Sequence, residues 1–154
     1  MIAVLQRIES ASVTADGEPF SQCGRGLLIL LGVSGEDDET DARLLADKIS
    51  KLRIFTDDED KMNLSVNDIG GSVMVVPNFT LLAGYKKGNR PDIIRSARPD
   101  RANELFEYFC NYISGIVPSI AKGKFQSDMK VSLVNDGPVT ISMDSRVLRG
   151  NRDI

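Results

Sequence analysis

The sequence predicts an α/β fold, a curved mixed β-sheet with a barrel-like core and two main helices packed outside it. Three observations lead to this prediction. Segments with a strand pattern outnumber those with a helical pattern, 42% of the 154 residues are hydrophobic, and no internal repeat or low-complexity tract interrupts the chain. We therefore expect a single domain over residues 1–145 and a loose C-terminal tail over 146–154.

Strands and a hairpin account for the beginning of the chain. Residues 1–8 alternate in polarity, and 10–14 continue the extended pattern. Asp16 and Gly17 are typical of a hairpin turn, which leads into a strand over 18–21.

Two apolar runs predict buried strands further along. The run GLLILLGV at 26–33 is continuously apolar, which is typical of a strand covered on both faces. The run SVMVV at 72–76 is rich in residues that favour strands. Between them, 53–55 is a short extended piece before a turn at 57–60.

Two helices are predicted from apolar residues at helical spacing. The first follows the acidic stretch 36–41, which supplies capping side chains, and it runs to about Leu52. Asp100 is a candidate cap for the second helix, and Gly115 is a candidate end. The two apolar stripes are Ala42, Leu45, Ala46 and Ile49, and then Ala102, Leu105, Phe106, Phe109 and Ile113.

The run NDGPVT at 135–140 lies between two strand-like segments, 129–134 and 139–143. Glycine allows backbone angles that other residues cannot reach, while proline fixes its own φ and lowers the cost of a cis bond. The run is therefore suited to form a rigid backbone tip that offers carbonyls and almost no side chain. An ordinary hairpin turn is the alternative, because Asn-Asp-Gly is common turn chemistry.

The chain contains no histidine. This excludes Ser-His-Asp and Cys-His catalysis and zinc sites of the HExxH kind. The two cysteines, Cys23 and Cys110, lack the spacing of a metal site or a disulfide framework, which favours a reducing compartment. We expect no metal and no cofactor, so a general acid or base would be carboxylate, lysine, solvent or substrate.

The N-terminal segment lacks the pattern of a signal peptide, and no apolar run reaches membrane-spanning length. We therefore expect a cytoplasmic protein without a membrane partner. The formal net charge of −3 and the pI near 5.0 argue against broad nucleic-acid binding, and no DNA partner is expected. A short single-stranded end is still a compatible ligand.

Positive charge is concentrated in two groups of residues, which could hold a short single-stranded end. The alternative is that both groups are simply a solvated surface. The groups are Lys86, Lys87, Arg90, Arg95, Arg98 and Arg101, and then Arg146, Arg149 and Arg152.

Several motifs resemble those of D-aminoacyl-tRNA deacylases, in the order and spacing of that family. They are QR at 6–7, ASVT at 11–14, GRGLL at 24–28, LRIF at 52–55, KMNLSV at 61–66, FTL at 79–81, KGNRP at 87–91, and the segment 129–140. The resemblance implies a homodimer that hydrolyses the ester between a D-amino acid and the 3′ end of tRNA. It also implies that Gly137 and Pro138 form a Gly-cisPro element inserted into the partner's active site.

The sequence departs from the family pattern in two places. The motif that usually reads SQFT is PNFT at 77–80, and Pro77 supplies neither a hydroxyl nor a backbone N–H. After Pro91 the usual Ser-Phe pair is Asp92-Ile93, which removes an aromatic ring from that loop.

A proline-initiated motif resembles a sister branch of tRNA deacylases with relaxed chiral discrimination. That branch replaces the phenylalanine, whereas Phe79 and Arg7 are both present here. The D-specific assignment is therefore favoured.

The resemblance assigns the catalytic region to Asn78, Phe79 and Thr80. Thr80 carries the nucleophilic oxygen of the motif, but nothing obvious nearby would take its proton. The hypothesis is that Thr80 and neighbouring backbone amides orient the ester, while the 2′-hydroxyl of the substrate helps to activate water. A strand threonine with a satisfied hydroxyl is the alternative.

Substrate binding and chiral selection are assigned to six residues, with Arg7 and Asn135 holding the tip through bonds to the backbone. The six are Gly137, Pro138, Asn135, Arg7, Phe125 and Met129. Phe125 and Met129 would line a pocket for the terminal adenosine or the amino acid, with plain core packing as the alternative. A solvent-facing arginine is the alternative for Arg7.

Lys87 and Arg90 are expected to meet phosphates of the tRNA acceptor end. Because a backbone tip does not read the side chain, many D-amino acids and also glycyl-tRNA should be substrates. Two other functions remain open, namely a relaxed deacylase acting on L-alanine mischarged to tRNA and a noncatalytic binder of aminoacyl-RNA ends.

Overall fold

The structure, a computed structural model, describes residues 1–150. The strands within them are β1 (Ile2–Ala15), β2 (Glu18–Cys23), β3 (Gly26–Gly32), β4 (Phe55–Thr56), β5 (Met62–Leu64), β6 (Ser72–Pro77), β7 (Ser119–Lys122) and β8 (Met129–Asp144). The helices are α1 (Glu39–Lys51), α2 (Pro99–Ser114) and α3 (Ser145–Leu148), and a 3₁₀ turn covers Phe79–Leu82.

Strand β1 is the centre of a six-stranded mixed sheet. One edge of β1 pairs with β8, while the other edge pairs with β3 in its first half and β2 in its second half, all antiparallel. Strands β6 and β7 continue the sheet beyond β3 in parallel. The sheet curls until β2 reaches β7, where the Ser21 hydroxyl donates to the carbonyl of Lys122 at 2.7 Å. The predicted fold class, a barrel-like mixed sheet with helices outside, is confirmed.

The hairpin and the buried strand near the N-terminus are also confirmed. Asp16 and Gly17 turn between β1 and β2 with φ of 51° and 82°. Strand β3 is buried on both faces because its residues alternate between two cores. Leu27 and Ile29 face the helices, whereas Leu28 packs inside the curl of the sheet. Each such buried side chain stabilises the fold by about 1.5–3 kcal/mol.

Helix α1 begins with a capping box within the predicted acidic stretch. The Asp38 carboxylate accepts from the N–H groups of Thr40 and Asp41, and the Asp41 carboxylate accepts from the Asp38 N–H at 2.9 Å. The last helical residue is Lys51 and Leu52 is the C-cap, which agrees with the predicted end at about Leu52.

The predicted cap of helix α2 is wrong. Arg98 occupies the cap position without a side-chain bond, and Pro99 is the first helical residue. The fixed φ of proline suits that position, where its missing N–H has no cost. Asp100 therefore lies in the first turn, where its negative charge interacts favourably with the helix dipole. Gly115 ends the helix, as predicted.

The C-terminal strand differs from the prediction. Segments 129–134 and 139–143 are parts of one strand, β8, which pairs with β1 from Met129 opposite Ala15 to Asp144 opposite Ile2. The register shifts on both sides of Ile8 of β1, so the Gly-Pro step interrupts the ladder without reversing the chain. The hairpin alternative is wrong, because both flanks run along the same neighbour in the same direction.

The prediction of a loose tail over 146–154 is wrong for its first residues, which are helical. Residues Ser145–Leu148 form α3, and the Arg149 guanidinium binds the carboxylates of Asp38 and Asp41 at the beginning of α1. Residues 151–154, including Arg152, lie outside the described residues. Among the helices of residues 1–150, none combines the length and apolar character needed to cross a bilayer.

Candidate active site

A cavity of about 320 Å³ opens where strands β3 and β6 end. Its walls come from the ends of these strands, the start of α2 and the loop before β8. The lining residues are Leu31, Val33, Pro77, Asn78, Phe79, Ile93, Ser96, Ala97, Pro99, Ala102, Phe106, Phe125, Gln126, Ser127 and Met129.

The PNFT motif forms one wall because β6 stops there. Pro77 pairs opposite Leu31, and the Asn78 N–H donates to the Leu31 carbonyl at 2.8 Å before the chain turns into the 3₁₀ turn. The Phe79 side chain is 58% exposed, which is unusual for a large apolar ring. The Ser96 hydroxyl donates to the Phe79 carbonyl at 3.1 Å and ties the turn to the opposite wall.

The Thr80 hydroxyl donates to the Asn78 side-chain oxygen. An amide oxygen is not a base at neutral pH, so this contact orients the hydroxyl without activating it. The Asn78 side chain does not cap the 3₁₀ turn. As the first N–H groups of a helical turn, those of Phe79 and Thr80 have no acceptor within it; Phe79 lines the cavity, and Thr80 follows it directly in the chain.

The cavity wall carries no ionisable side chain among the described residues. A thiol nucleophile is also absent there, and burial raises the pKa of the Cys110 thiol to about 12. Within residues 1–150, no group of three or more histidine, cysteine, aspartate or glutamate side chains could hold a metal ion. The described wall of the cavity therefore offers apolar surface and uncharged hydrogen-bonding groups.

Phe125 and Met129 line the cavity, where sequence reasoning expected them. The Phe125 ring lies 6.3 Å from the ring of Phe106, centroid to centroid, so Phe125 also contacts the core. Sequence reasoning missed Gln126, whose φ of 56° turns the chain at the cavity wall, and Ser96. Ile93 lies on the opposite wall, so the departure from the family motif at that position alters the cavity itself.

The tip of β8 lies elsewhere on the same chain. Gly137 and Pro138 are exposed, and the peptide bond between them is cis. Gly137 has a φ of 123°, and a Cβ atom there would lie 2.9 Å from the Arg7 guanidinium and 2.9 Å from the Val139 side chain. Only glycine fits this position without strain.

Arg7 holds the base of the tip from inside the protein. Its side chain is only 10% exposed, which rules out the solvent-facing alternative. The guanidinium donates to the carbonyls of Asp136 at 3.1 Å and Ile54 at 2.9 Å, and it lies 3.2 Å from the Asp136 carboxylate. The Asn135 amide donates to the carbonyls of Arg7 at 2.9 Å and Val139 at 3.0 Å. The tip is therefore fixed on both sides by side-chain to backbone bonds.

The tip does not reach the cavity of its own chain. Met129, at the cavity, pairs with the far end of β1, whereas Gly137 lies beside Arg7. Arg7 pairs opposite Leu27 of β3, and Leu31 at the cavity wall lies four residues further along that strand, or about 13 Å at the usual rise per residue.

Lys87 and Arg90 also lie outside the cavity. They are exposed on a loop whose ends, Gly84 and Asp92, exchange backbone hydrogen bonds of 2.8 and 2.9 Å. Neither residue is among those that line the cavity.

A second cavity, of about 470 Å³, lies near the start of α1. The Arg149 guanidinium is paired there with Asp41, and the Met1 ammonium with Asp37. Burial raises the pKa of Asp37 even though the ammonium acts against it. Because these charged groups are paired with one another, we interpret them as a structural ion-pair cluster beside the cavity.

The comparisons with known proteins agree with the resemblance read from the motifs. A family model described as D-Tyr-tRNA(Tyr) deacylase matches residues 4–144. The D-aminoacyl-tRNA deacylase of Anaeromyxobacter dehalogenans is 51% identical over 148 residues, covering 96% of this chain and 99% of that protein. The chain belongs to the D-aminoacyl-tRNA deacylase family. Membership in this deacylase family makes it an enzyme, a hydrolase that acts on an ester bond.

Other members and neighbours support the same family fold. The D-aminoacyl-tRNA deacylase of Vibrio cholerae is 51% identical over 140 residues, covering 91% of this chain and 96% of that protein. A solved structure named c-Myc DNA Unwinding Element Binding Protein has a TM-score of 0.88 at 38% identity, covering 94% of this chain and 98% of that one. A probable eukaryotic D-amino acid tRNA deacylase has a TM-score of 0.79 at 16% identity and supports the fold alone.

Proposed function

We propose that this enzyme hydrolyses the ester that joins a D-amino acid to the 3′ end of tRNA, and that it also accepts glycyl-tRNA. It acts as a cytoplasmic homodimer in which Gly137 and Pro138 of each subunit enter the cavity of the other. The observation that carries the proposal is the separation, in one chain, of a fixed backbone tip from an apolar cavity. The tip and the cavity are each complete within one chain, but the tip can enter a cavity only if that cavity belongs to a second copy of the chain.

The cavity suits hydrolysis of an activated ester. An aminoacyl ester needs little more than a positioned water and donors for the tetrahedral oxyanion. The N–H groups of Phe79 and Thr80 are the donors, and the Thr80 hydroxyl orients the ester. The 2′-hydroxyl of the substrate assists the water, because the walls hold no side chain that could act as a base.

Chirality follows from where main-chain atoms lie. The carbonyls of Gly137 and Pro138 occupy the space into which an L side chain would project, so that L-esters are excluded by overlap. A ten-thousandfold preference corresponds to about 5.5 kcal/mol. Overlap with a stiff backbone supplies a penalty of this size, whereas a missing methylene in a pocket gives only about 1–3 kcal/mol. Glycine has no side chain to reject.

The 3′ acceptor end of tRNA reaches the cavity over the exposed loop that carries Lys87 and Arg90. Neither side chain forms an ion pair within residues 1–150, so both charges are available to phosphates. The acidic balance of the chain, with a net charge of −3, counts against a wide DNA-binding surface. Free thiols at Cys23 and Cys110 fit a reducing cytoplasm.

The decisive experiment compares matched D-tyrosyl-tRNA and L-tyrosyl-tRNA, with glycyl-tRNA as a third substrate. We expect rapid hydrolysis of the D-ester, measurable hydrolysis of the glycyl ester and no hydrolysis of the L-ester above background. Complete inertness toward glycyl-tRNA would contradict selection by exclusion.

A relaxed deacylase acting on L-alanine mischarged to tRNA is the second candidate, and Pro77 is the observation that favours it. Pro77 lines the cavity where the family usually has serine, so the wall lacks a hydroxyl there. Faster hydrolysis of L-alanyl-tRNA than of D-tyrosyl-tRNA would establish this function. A noncatalytic binder of RNA ends, in turn, would bind an aminoacyl-adenosine analogue without cleaving any ester.

A further inference from the structure

We infer that Arg98 and Lys124 bind the phosphodiesters immediately before the terminal adenosine of the substrate, as a clamp at the mouth of the cavity. This inference rests on the proposed function and specifies how the RNA strand enters the site. The clamp is distinct from the more remote loop that carries Lys87 and Arg90.

The position of these two cations follows from their neighbours in the chain. Arg98 lies between Ala97 and Pro99, and both of these residues line the cavity. Lys124 directly precedes Phe125, which lines the cavity from the loop before β8. Both residues are therefore next in the chain to residues of the cavity wall, one at the start of α2 and the other after β7.

Both charges are available for a ligand. Arg98 and Lys124 are exposed, and in the part of the chain that the structure describes neither forms an ion pair or a side-chain hydrogen bond. Asp100, the acidic residue nearest to Arg98 in sequence, lies in the first turn of α2 and has no ion pair with it. By contrast, Lys122 and Lys130 are paired with Glu107 and Asp128.

The chemistry on the two sides of the opening is complementary to an RNA end. The cavity wall is apolar and without ionisable groups, which suits a base, a ribose and an amino-acid side chain. Phosphates are excluded from such an apolar cavity, since burying an unpaired charge is costly. The strand must therefore leave its phosphates at the rim, where free cations are found. Arginine and lysine at the rim supply the attraction without fixing the sequence of the strand.

The test uses substrates of increasing length. D-tyrosyl-adenosine has no phosphodiester, D-tyrosyl-CCA has the two that precede the ester, and D-tyrosyl-tRNA has the whole acceptor stem. The kcat/KM of each is measured for the wild-type protein, Arg98→Gln, Lys124→Gln and the double variant. Lys51→Gln serves as the matched control, because Lys51 is an exposed cation at the end of α1, outside the cavity wall.

We expect the wild-type protein to prefer the trinucleotide over the adenosine ester. Each glutamine substitution should reduce this preference roughly threefold to tenfold, and the slope of log(kcat/KM) against log salt should become shallower by about 0.7 per lost contact. Lys51→Gln should change neither quantity.

Two results would overturn the clamp. In the first, the double variant keeps the full preference for the trinucleotide ester over the adenosine ester. In the second, the double variant loses only the preference for the tRNA ester over the trinucleotide ester, which would mean that the cations bind the acceptor stem. Failure of the proposed function has a different signature, because the wild-type protein would then hydrolyse none of the three D-esters.

Discussion

At the scale of single residues, Thr80 is the side chain whose role the structure constrains most directly. Its hydroxyl proton is engaged by the Asn78 amide oxygen, which is too weak a base to remove it. No histidine exists anywhere in the chain to replace that amide. The proposed role of the hydroxyl is therefore to orient the ester, and the attacking group is water.

We expect Thr80→Val to retain turnover well above background. Loss of one hydrogen bond corresponds to about 0.5–1.5 kcal/mol, or roughly a tenfold decrease in kcat at most. Single-turnover hydrolysis of D-tyrosyl-tRNA measures this, with Thr80→Ser as the variant that restores the hydroxyl. A loss of activity to background, with binding of a substrate analogue intact, would favour the nucleophile instead.

Gly137→Ala should weaken chiral selection. The added Cβ would lie 2.9 Å from the Arg7 guanidinium at a φ of 123°, so the tip must shift away from its bonds. We expect a loss of about 1–3 kcal/mol of stability and at least a tenfold decrease in the ratio of D-ester to L-ester hydrolysis. Urea unfolding and paired deacylation assays measure the two effects.

Gly17→Ala is the matched control for that variant. Gly17 also has a positive φ, of 82°, but a Cβ atom there meets nothing within 4 Å. It should lose stability through backbone strain alone and keep the wild-type ratio. An equal change of the ratio in both variants would mean that contact between Arg7 and the tip has no part in selection.

At the scale of elements, α3 joins the C-terminal segment to the start of α1. Arg149 reaches the Asp41 carboxylate at 3.0 Å and also binds Asp38, the cap of that helix. Burial acts to raise the pKa of Asp41, but hydrogen bonds from the Asp38 N–H, Ser145 and Arg149 lower it overall. Arg149 is therefore part of the fold, although sequence reasoning grouped it with a possible RNA-facing cluster.

Arg149→Gln should lower the free energy of unfolding by about 1–2 kcal/mol at pH 7, because Asp41 is left buried with fewer donors. A carboxyl whose folded pKa is depressed stabilises the protein above its unfolded pKa and loses that contribution as pH falls. The difference between wild type and variant should therefore shrink below about pH 4. Urea unfolding at several pH values measures it, and a constant difference would contradict the coupling to Asp41.

Sequence reasoning identified the elements whose signals are local. The hairpin at Asp16, the cap of α1 and the buried β3 each follow from side chains within a few residues. It missed β7, because SIAK is short and follows Pro118, and it missed the start of α2, where Pro99 overrides Asp100. The continuity of β8 depends on pairing with β1 from the other end of the chain, which no local pattern reveals.

The same distinction holds for the site. PNFT, Phe125 and Met129 were found through the family resemblance, and Pro77, Asn78, Phe79, Phe125 and Met129 line one cavity, whereas Thr80 is outside its lining. Ser96 and Gln126 were missed because only the folding of distant loops brings them to that wall. The separation of the tip from the cavity of its own chain was implied by the family resemblance alone, because no local pattern reveals it.

At the scale of the whole molecule, the proposed dimer makes each active site a composite of two chains. This predicts complementation between a tip variant and a cavity variant. Gly137→Trp and Phe79→Ala should each be inactive or unselective as homodimers. A mixture refolded together should recover a selective site in each heterodimer, up to about a quarter of the wild-type activity for random pairing.

The control is the same two variants mixed without refolding, which should stay at the level of the separate proteins. Absence of recovery after refolding, with heterodimers detected by native mass spectrometry, would show that the tip does not act in the neighbouring subunit.

The pH dependence of catalysis should also reflect the whole molecule. Because no ionisable side chain lines the cavity, kcat should follow the pH profile of uncatalysed hydrolysis of the same ester. Rates from pH 5 to 8 on both reactions test this. An inflection found only with the enzyme would reveal a general base that the cavity wall does not contain.

The tip that Arg7 and Asn135 hold has a consequence for the gene as well as for the enzyme. In the proposed mechanism its working atoms are carbonyl oxygens, which every amino acid possesses, so most codon changes leave them in place. Only the few positions that shape or anchor this segment can alter it by point mutation. Under the proposed function, point mutations across most of the chain would therefore leave discrimination between D- and L-amino acids unchanged.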